Sequence, residues 1–125
     1  MTFRAVLVDD ERLARQDLRE MLADFNHIHI VGEAANLTEA MILIETERPE
    51  LVFLDIQLRH ENGFDLLKKV ARNFNVIFVT AFDEYAIRAF EINALDYLLK
   101  PVNPKRLKAA IDKLYMAAPT AQLPP

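Results

Sequence analysis

Five residues with reactive side chains follow short apolar runs in this 125-residue chain. They are three carboxylates, one hydroxyl and one amine: Asp9, Asp10, Asp55, Thr80 and Lys100. Carboxylates held close together raise one another's pKa values, and a divalent cation removes the cost of their repulsion. Mg²⁺ is typically held by one or two carboxylates and keeps coordination positions for phosphate oxygens. Because a carboxylate can also attack phosphorus and a lysine can pair with the transferred group, the set fits magnesium-dependent phosphoryl transfer.

Each of these residues also has a simpler structural interpretation when it is taken alone. Asp10 can cap the first helix, because carboxylates commonly accept the free N–H groups of a first turn, and Asp55 can cap the loop that follows it. Thr80 is ordinary at a strand end, and Lys100 is ordinary at a surface. These interpretations are independent of one another, whereas the functional one requires all the positions at one edge of a sheet. Their joint occurrence favours a functional site.

The elements that must position these residues follow from the hydrophobic pattern. Apolar runs alternate with segments of helical periodicity, which indicates βαβ units and a parallel sheet whose strands are covered on both faces. We predict five strands, over residues 3–8, 29–34, 51–54, 76–79 and 96–99. Apolar stripes predict a helix after each strand: the third extends to Phe74, the fourth is short, and the last begins near Pro104. The predicted fold class is α/β with an open doubly wound sheet.

In such a sheet, ligands bind outside the carboxyl ends of the strands, where the strand order reverses. The reactive residues lie at these ends. Asp9 and Asp10 follow the first strand, Asp55 the third, Thr80 the fourth and Lys100 the fifth. We therefore expect their side chains to meet at one edge of the sheet.

The composition excludes several other classes of function. The formal charge of −4, from 15 basic and 19 acidic residues, repels a phosphate backbone, so we expect no direct binding of nucleic acid. The chain has no cysteine, which excludes thiolate nucleophiles, and its two glycines exclude a Gly-rich phosphate-binding loop. No apolar run approaches the roughly 18 residues of a membrane span, and no secretion signal is recognisable. We expect a cytoplasmic protein without a membrane partner.

The motifs VLVDDE, LVFLDIQL, VIFVTAF and DYLLKPV are similar to those of response-regulator receiver domains of two-component systems, over essentially the whole chain. The resemblance implies a single flavodoxin-like domain, with a five-stranded parallel sheet in the order 2-1-3-4-5 and five helices. It also implies that the domain accepts a phosphoryl group from a sensor histidine kinase and switches conformation to control an output domain. Such a domain is not a metabolic enzyme, since its chemistry is limited to magnesium-dependent self-phosphorylation on aspartate and to autodephosphorylation.

The resemblance assigns a role to each member of the acid cluster. Asp55 is the expected phospho-acceptor. Asp10 and Asp55, together with the backbone carbonyl of Gln57, are expected to hold Mg²⁺. Asp9 is expected to support the ion through a water molecule.

The resemblance also implies a conformational switch. Lys100 is expected to contact the phosphoryl group, and Thr80 is expected to turn its hydroxyl onto it after transfer. Tyr97 is the expected switch aromatic, which moves inward as Thr80 moves. The peptide bond between Lys100 and Pro101 is expected to be cis, since cis bonds are essentially confined to proline.

The segment TAFDEYAIRAFEINALDYLLKPV is similar to receivers of the LytTR class (LytR/AlgR-like regulators), whose C-terminal domain binds DNA. We expect a receiver domain over residues 1–117 and the proline-rich start of an interdomain linker over 118–125, with the output domain outside this chain. An excised receiver is favoured over a natural stand-alone one. A homodimer through the fourth helix, fifth strand and fifth helix is an open option, in which Tyr85, Ile87 and Phe90 form either an exposed dimer patch or part of the core.

One departure from the family pattern and two rival functions remain open. Receivers usually carry a proline four residues after the acceptor, where this chain has Arg59. A phosphatase of the haloacid dehalogenase type also uses an aspartate after a strand, but it requires a second aspartate where this chain has Gln57. A receiver-like binding module would act through protein contacts alone. Within the receiver interpretation, Phe82 lies two residues after Thr80 and is a candidate shield of the phosphoryl group against water.

Overall fold

The computed structural model describes the backbone of residues 2–121 and the side chains of residues 2–116. The elements follow one another as β1 (Phe3–Val8), α1 (Arg12–Leu22), β2 (Ile28–Ala34), α2 (Leu37–Glu47), β3 (Leu51–Leu54), β4 (Gln57–Leu58), β5 (Glu61–Asn62), α3 (Phe64–Lys69), β6 (Asn75–Thr80), α4 (Ala86–Glu91), β7 (Asp96–Leu99) and α5 (Pro104–Ala121). Among the described residues, no helix is long and apolar enough to cross a bilayer.

The main sheet has five parallel strands in the order β2-β1-β3-β6-β7. The strands β4 and β5 form a separate antiparallel hairpin, so the order matches the predicted 2-1-3-4-5 and the predicted fold class is confirmed. Val8, the last residue of β1, lies opposite Ala34 of β2 and Leu54 of β3. Thr80 ends β6 opposite Leu99 of β7. The register therefore brings the predicted site residues to a common edge.

The helices cover both faces of the sheet and create two cores. Val6 and Val8 of β1 point into one core, which they share with residues of α2, α3 and α4. Ala5 and Leu7 point into the other core, which contains residues of α1 and α5. Since both faces of each central strand are buried, the strands are apolar at almost every position, as the sequence pattern indicated.

Two helix ends differ from the sequence prediction. Helix α3 ends at Lys69 rather than near Phe74, because Val70 adopts an extended conformation, with φ −126° and ψ 152°. Phe74 is still buried and Val70 packs against the core, so the apolar spacing that predicted a longer helix partly reflects loop residues with buried side chains. Helix α5 begins at Pro104, as predicted, and runs to Ala121, four residues into the segment predicted as linker. Residues 122–125 of that segment lie outside the described residues.

Candidate functional site

An acid cluster lies at the carboxyl edge of the sheet. Asp9 and Asp10 follow β1, and Asp55 follows the neighbouring strand β3. One carboxylate oxygen from each residue lies within 4.8 Å of the others. Asp9 and Asp55 are buried and Asp10 is half-buried. The structure therefore brings together the three acids that the sequence placed at the ends of two strands.

Lys100 completes the cluster from the end of β7. Its Nζ donates to Oδ2 of Asp9 at 2.7 Å and to Oδ2 of Asp55 at 2.9 Å. Burial acts to lower the pKa of Lys100, but the hydrogen bonds and charges of the two carboxylates outweigh it, so the pKa is raised. The amine consequently stays charged at neutral pH. The peptide bond between Lys100 and Pro101 is cis.

The two carboxylate oxygens of Asp55 have different surroundings. Oδ2 accepts from Lys100, whereas Oδ1 is buried and has no hydrogen-bond donor among the described residues. Burial raises the pKa of Asp55, and the hydrogen bond and charge of Lys100 offset only part of this effect. A buried acceptor without a donor is costly, so Oδ1 is well placed to bind a cation or to attack an electrophile.

Asp9 and Asp10 are held in different ways. Oδ1 of Asp9 accepts from the backbone N–H of Glu11 at 2.9 Å, next to the start of α1. Oδ2 of Asp10 instead accepts from the backbone N–H of Arg59 at 3.2 Å. Glu11, rather than Asp10, is the N-cap residue of α1. The capping interpretation of Asp10 is therefore wrong, and this carboxylate faces the loop that follows Asp55.

The hairpin formed by β4 and β5 was not predicted from the sequence. Its two-residue strands flank Arg59, whose N–H reaches Asp10 from the turn. A proline at this position, as is usual in the family, would have no N–H to donate. Two-residue strands carry too little periodicity to be predicted, and a backbone donor has no side-chain signal in a sequence.

Gly63 lies directly behind the acceptor. A Cβ added to Gly63 would lie 2.2 Å from the backbone carbonyl oxygen of Asp55, far inside contact distance. Gly63 donates its own N–H to the carbonyl of Ile56 at 2.6 Å. Its φ of −58° is open to any residue, so the requirement for glycine comes from this close approach and not from backbone freedom.

Thr80 and Tyr97 contact the same backbone segment. The fully buried Thr80 accepts from the N–H of Phe82 at 3.4 Å through its Oγ1. The Tyr97 hydroxyl donates to the carbonyl of Phe82. Burial raises the pKa of Tyr97, so the phenol remains a donor at neutral pH. Phe82 thus connects the two predicted switch residues.

The family model of the response regulator receiver domain matches residues 5–112. The chain belongs to this family. A receiver of this kind is part of a two-component response regulator, a class of regulators rather than of metabolic enzymes. Receiver domains generally use Mg²⁺ at an acidic pocket, and the cluster of Asp9, Asp10 and Asp55 fits such an ion, since three carboxylates face one ammonium group and Oδ1 of Asp55 has no donor among the described residues.

Relatives of this receiver include an uncharacterized response regulatory protein of Vibrio cholerae, 46% identical over 112 residues, and the sensory transduction protein LytT of Bacillus cereus, 42% identical over 113 residues. The two alignments cover 88% of this chain but 47% and 46% of the relatives, so the chain spans about half the length of the curated relatives it matches. The similarity to LytT agrees with the predicted LytTR class. The crystal structure of the response regulatory domain of protein mrkE from Klebsiella pneumoniae matches with a TM-score of 0.81 at 30% identity, covering 91% of this receiver and 96% of that chain.

The surface of α4 settles one question that the sequence left open. Ile87 and Phe90 are 75% and 82% exposed, so they form a surface patch and are not part of the core. Tyr85 is half-buried, and its ring packs against Phe64 and Phe82. Its hydroxyl accepts from Nε2 of Gln57 at 3.1 Å, which connects the start of α4 to the acceptor loop.

Proposed function

We propose that the receiver accepts a phosphoryl group on Asp55 from the phosphohistidine of a sensor histidine kinase. The observation that carries this proposal is the environment of the Asp55 carboxylate. One oxygen is held by Lys100, and the other is buried beside Asp9 and Asp10 without a donor among the described residues. In the transfer, an Asp55 oxygen forms a bond to phosphorus while the bond from phosphorus to the histidine nitrogen breaks.

The remaining groups of the site stabilise charge during this transfer. Asp10, Asp55 and the backbone carbonyl of Gln57 would hold Mg²⁺, and Asp9 would support it through a water molecule. When bound, the ion neutralises charge on the transferred phosphoryl oxygens. Lys100 contributes a fixed positive charge, already within hydrogen-bond distance of Asp55. Phosphoryl transfer depends chiefly on positioning and on charge neutralisation, and these residues supply both.

The phosphorylated state is read out through Thr80 and Tyr97. Phosphorylation adds close to two negative charges and three acceptor oxygens beside the Thr80 hydroxyl. That hydroxyl accepts from the N–H of Phe82, and the half-buried Tyr97 donates its own hydroxyl to the Phe82 carbonyl. Movement of Thr80 onto the phosphoryl group breaks the first of these contacts and favours an inward Tyr97. The phosphoryl group thereby shifts a pre-existing equilibrium at the face formed by α4, β7 and α5.

This face would serve the partners of the receiver. The exposed side chains of Ile87, Phe90 and Leu99 give it an apolar surface that suits a homodimer contact. We propose that the full-length protein is cytoplasmic, has the receiver over residues 1–117 and continues into a DNA-binding output domain of the LytTR class through a linker over 118–125, whose first four residues extend α5. The similarity to LytT and the length of the relatives support this arrangement. DNA contact would belong to the output domain.

Incubation of the protein with acetyl phosphate and Mg²⁺, followed by intact mass measurement, tests the proposal. We expect one added phosphoryl group, lost in Asp55→Asn and retained in Asp65→Asn, a control that removes a half-exposed carboxylate of α3. A folded wild type without an adduct would contradict the proposal and favour a binding module. Steady hydrolysis of small phosphate esters would favour the phosphatase.

A further inference from the structure

Arg15 lies behind the acid cluster and contacts its backbone. Its Nη1 donates to the backbone carbonyl of Asp9 at 2.6 Å, and its Nε donates to Oε1 of Glu33 at 3.1 Å. The side chain is only 16% exposed. The guanidinium group therefore joins α1, the end of β1 and strand β2 at a single point.

The carbonyl of Asp9 belongs to the peptide group that links Asp9 to Asp10. The plane of that peptide is set by ψ of Asp9 and φ of Asp10, the two torsions that determine the direction of one side chain relative to the other. The N–H of Asp9 is already bonded to the carbonyl of Ala34 at 3.0 Å. The bond from Arg15 fixes the other side of the residue. The orientation of both acids is thus restrained at their shared peptide.

Glu33 holds Arg15 in place and offsets part of its charge. An uncompensated cation this close to the acids would oppose the binding of a divalent ion. Glu33 also accepts from Nη1 of Arg19, whose side chain is 46% exposed. Among the described hydrogen bonds, Arg19 shares this carboxylate with Arg15 but makes none to Asp9. Two arginines thus pair with the same glutamate, and of these two Arg15 also contacts the acid cluster.

We infer that Arg15, oriented by Glu33, is a positioning residue of the magnesium site, which sets the directions of the Asp9 and Asp10 carboxylates through their common peptide. The inference rests on the proposed function, since it concerns the ion that phosphorylation requires. Outer residues that orient metal ligands typically contribute about tenfold to a hundredfold in metal affinity. Arg15 acts on the ligands in this way without touching the ion.

Calorimetric titration of the unphosphorylated protein with Mg²⁺ tests this role without any phosphoryl transfer. We expect Arg15→Ala to raise the dissociation constant at least about tenfold. Arg19→Ala, the matched control, should stay within about twofold, because an exposed ion pair contributes little. Both variants lose an arginine that pairs with Glu33, so a loss of affinity caused by general loosening would appear in both.

Two further variants keep the test informative if Arg15→Ala folds poorly. Arg15→Lys retains the charge but lacks the planar fork that reaches two acceptors, so it should also lose affinity. Glu33→Gln leaves the charge of the Arg15 guanidinium uncompensated, so it should also weaken Mg²⁺ binding. In phosphorylation assays, the rate of Arg15→Lys should approach the wild-type rate as the Mg²⁺ concentration is raised, because the variant has a lower apparent affinity for Mg²⁺.

Equal Mg²⁺ affinities for the folded Arg15 variants and for Arg19→Ala would overturn the inference while leaving the proposed function intact. A wild type that binds no Mg²⁺ and forms no adduct with acetyl phosphate would instead overturn the proposed function, and the inference with it. A selective loss in the Arg15 variants supports both.

Discussion

The ammonium group of Lys100 lies 2.9 Å from Oδ2 of Asp55 and leaves Oδ1 of the same carboxylate without a donor among the described residues. The two oxygens are therefore suited to different tasks. Oδ2 is held by a permanent charge, which orients the carboxylate. Oδ1 remains available for a cation or for bond formation.

Removal of the Lys100 charge should slow phosphorylation and shift its pH dependence. Lys100 lowers the pKa of Asp55 against the larger effect of burial, so Lys100→Met should raise this pKa further. The reactive form is the carboxylate, and the rate should fall first on the acidic side. We expect the rate of phosphorylation by acetyl phosphate at neutral pH to fall at least about tenfold, since a fixed charge at the reacting group is removed. Lys108→Met, which removes an exposed lysine of α5, is the control. An unchanged rate and profile in Lys100→Met would contradict this role.

Replacement of Asp55 should stabilise the fold in a pH-dependent way. Burial raises the pKa of Asp55 in the folded protein. The folded state therefore binds this proton more tightly than the unfolded state does, and Asp55 favours folding at pH values below its unfolded-state pKa. This stabilisation is lost as the pH rises through the raised folded-state pKa. Asp55→Asn should therefore raise the free energy of unfolding at pH 7 by on the order of 1 kcal/mol. The gain should vanish at pH values where Asp55 is protonated in both states. Urea unfolding across pH measures it, and a gain that is independent of pH would argue against buried charge as the cause.

Gly63 should tolerate no side chain. The Cβ of Gly63→Ala would lie 2.2 Å from the carbonyl oxygen of Asp55, and the acceptor loop must move to relieve the contact. We expect a loss of about 2 kcal/mol in the free energy of unfolding, together with slower phosphorylation. Gly32→Ala is the matched control, because the three atoms nearest to its Cβ all belong to the flexible side chain of Leu43 rather than to backbone. Equal phosphorylation rates for Gly63→Ala and the wild type would show that the acceptor does not depend on this close approach.

Phe82 should control the lifetime of the aspartyl phosphate. Its backbone N–H and carbonyl are hydrogen-bonded to Thr80 and Tyr97, and its side chain is partly exposed at the surface, two residues after Thr80. If the ring shields the phosphoryl group from water, the aspartyl phosphate of Phe82→Ala should hydrolyse several-fold faster than that of the wild type once acetyl phosphate is removed. Phe90→Ala removes an equally large ring from the exposed surface of α4 and should leave the lifetime unchanged. Equal decay of the phosphorylated Phe82→Ala variant and of the wild type would eliminate the shielding hypothesis.

The strand ends could be predicted from the sequence because parallel strands buried on both faces are nearly unbroken apolar runs. Asp9, Asp10, Asp55 and Lys100 interrupt these runs at their carboxyl ends, and the sheet topology alone brings them together. Contacts made by backbone atoms or across long separations could not be predicted in this way. The bond from Arg15 to the carbonyl of Asp9 depends on how α1 packs on the sheet, which no local periodicity records.

The end of α3 and the role of Gly63 were hidden for a related reason. Val70 and Phe74 point into the core whether the chain between them is helical or extended, so apolar spacing does not distinguish the two conformations. A glycine indicates that a side chain is absent, but not whether backbone freedom or close approach requires its absence. Only the 2.2 Å distance to Asp55 decides between them.

Reduction with borohydride after incubation with acetyl phosphate and Mg²⁺ identifies the residue that carries the phosphoryl group. An aspartyl phosphate is an acyl phosphate, and its reduction converts the aspartate to homoserine, which peptide mass spectrometry can locate. We expect homoserine at position 55 alone, dependent on Mg²⁺ and absent from Asp55→Asn. Homoserine at position 9 or 10, or no homoserine in a folded and magnesium-loaded protein, would show that Asp55 is not the acceptor.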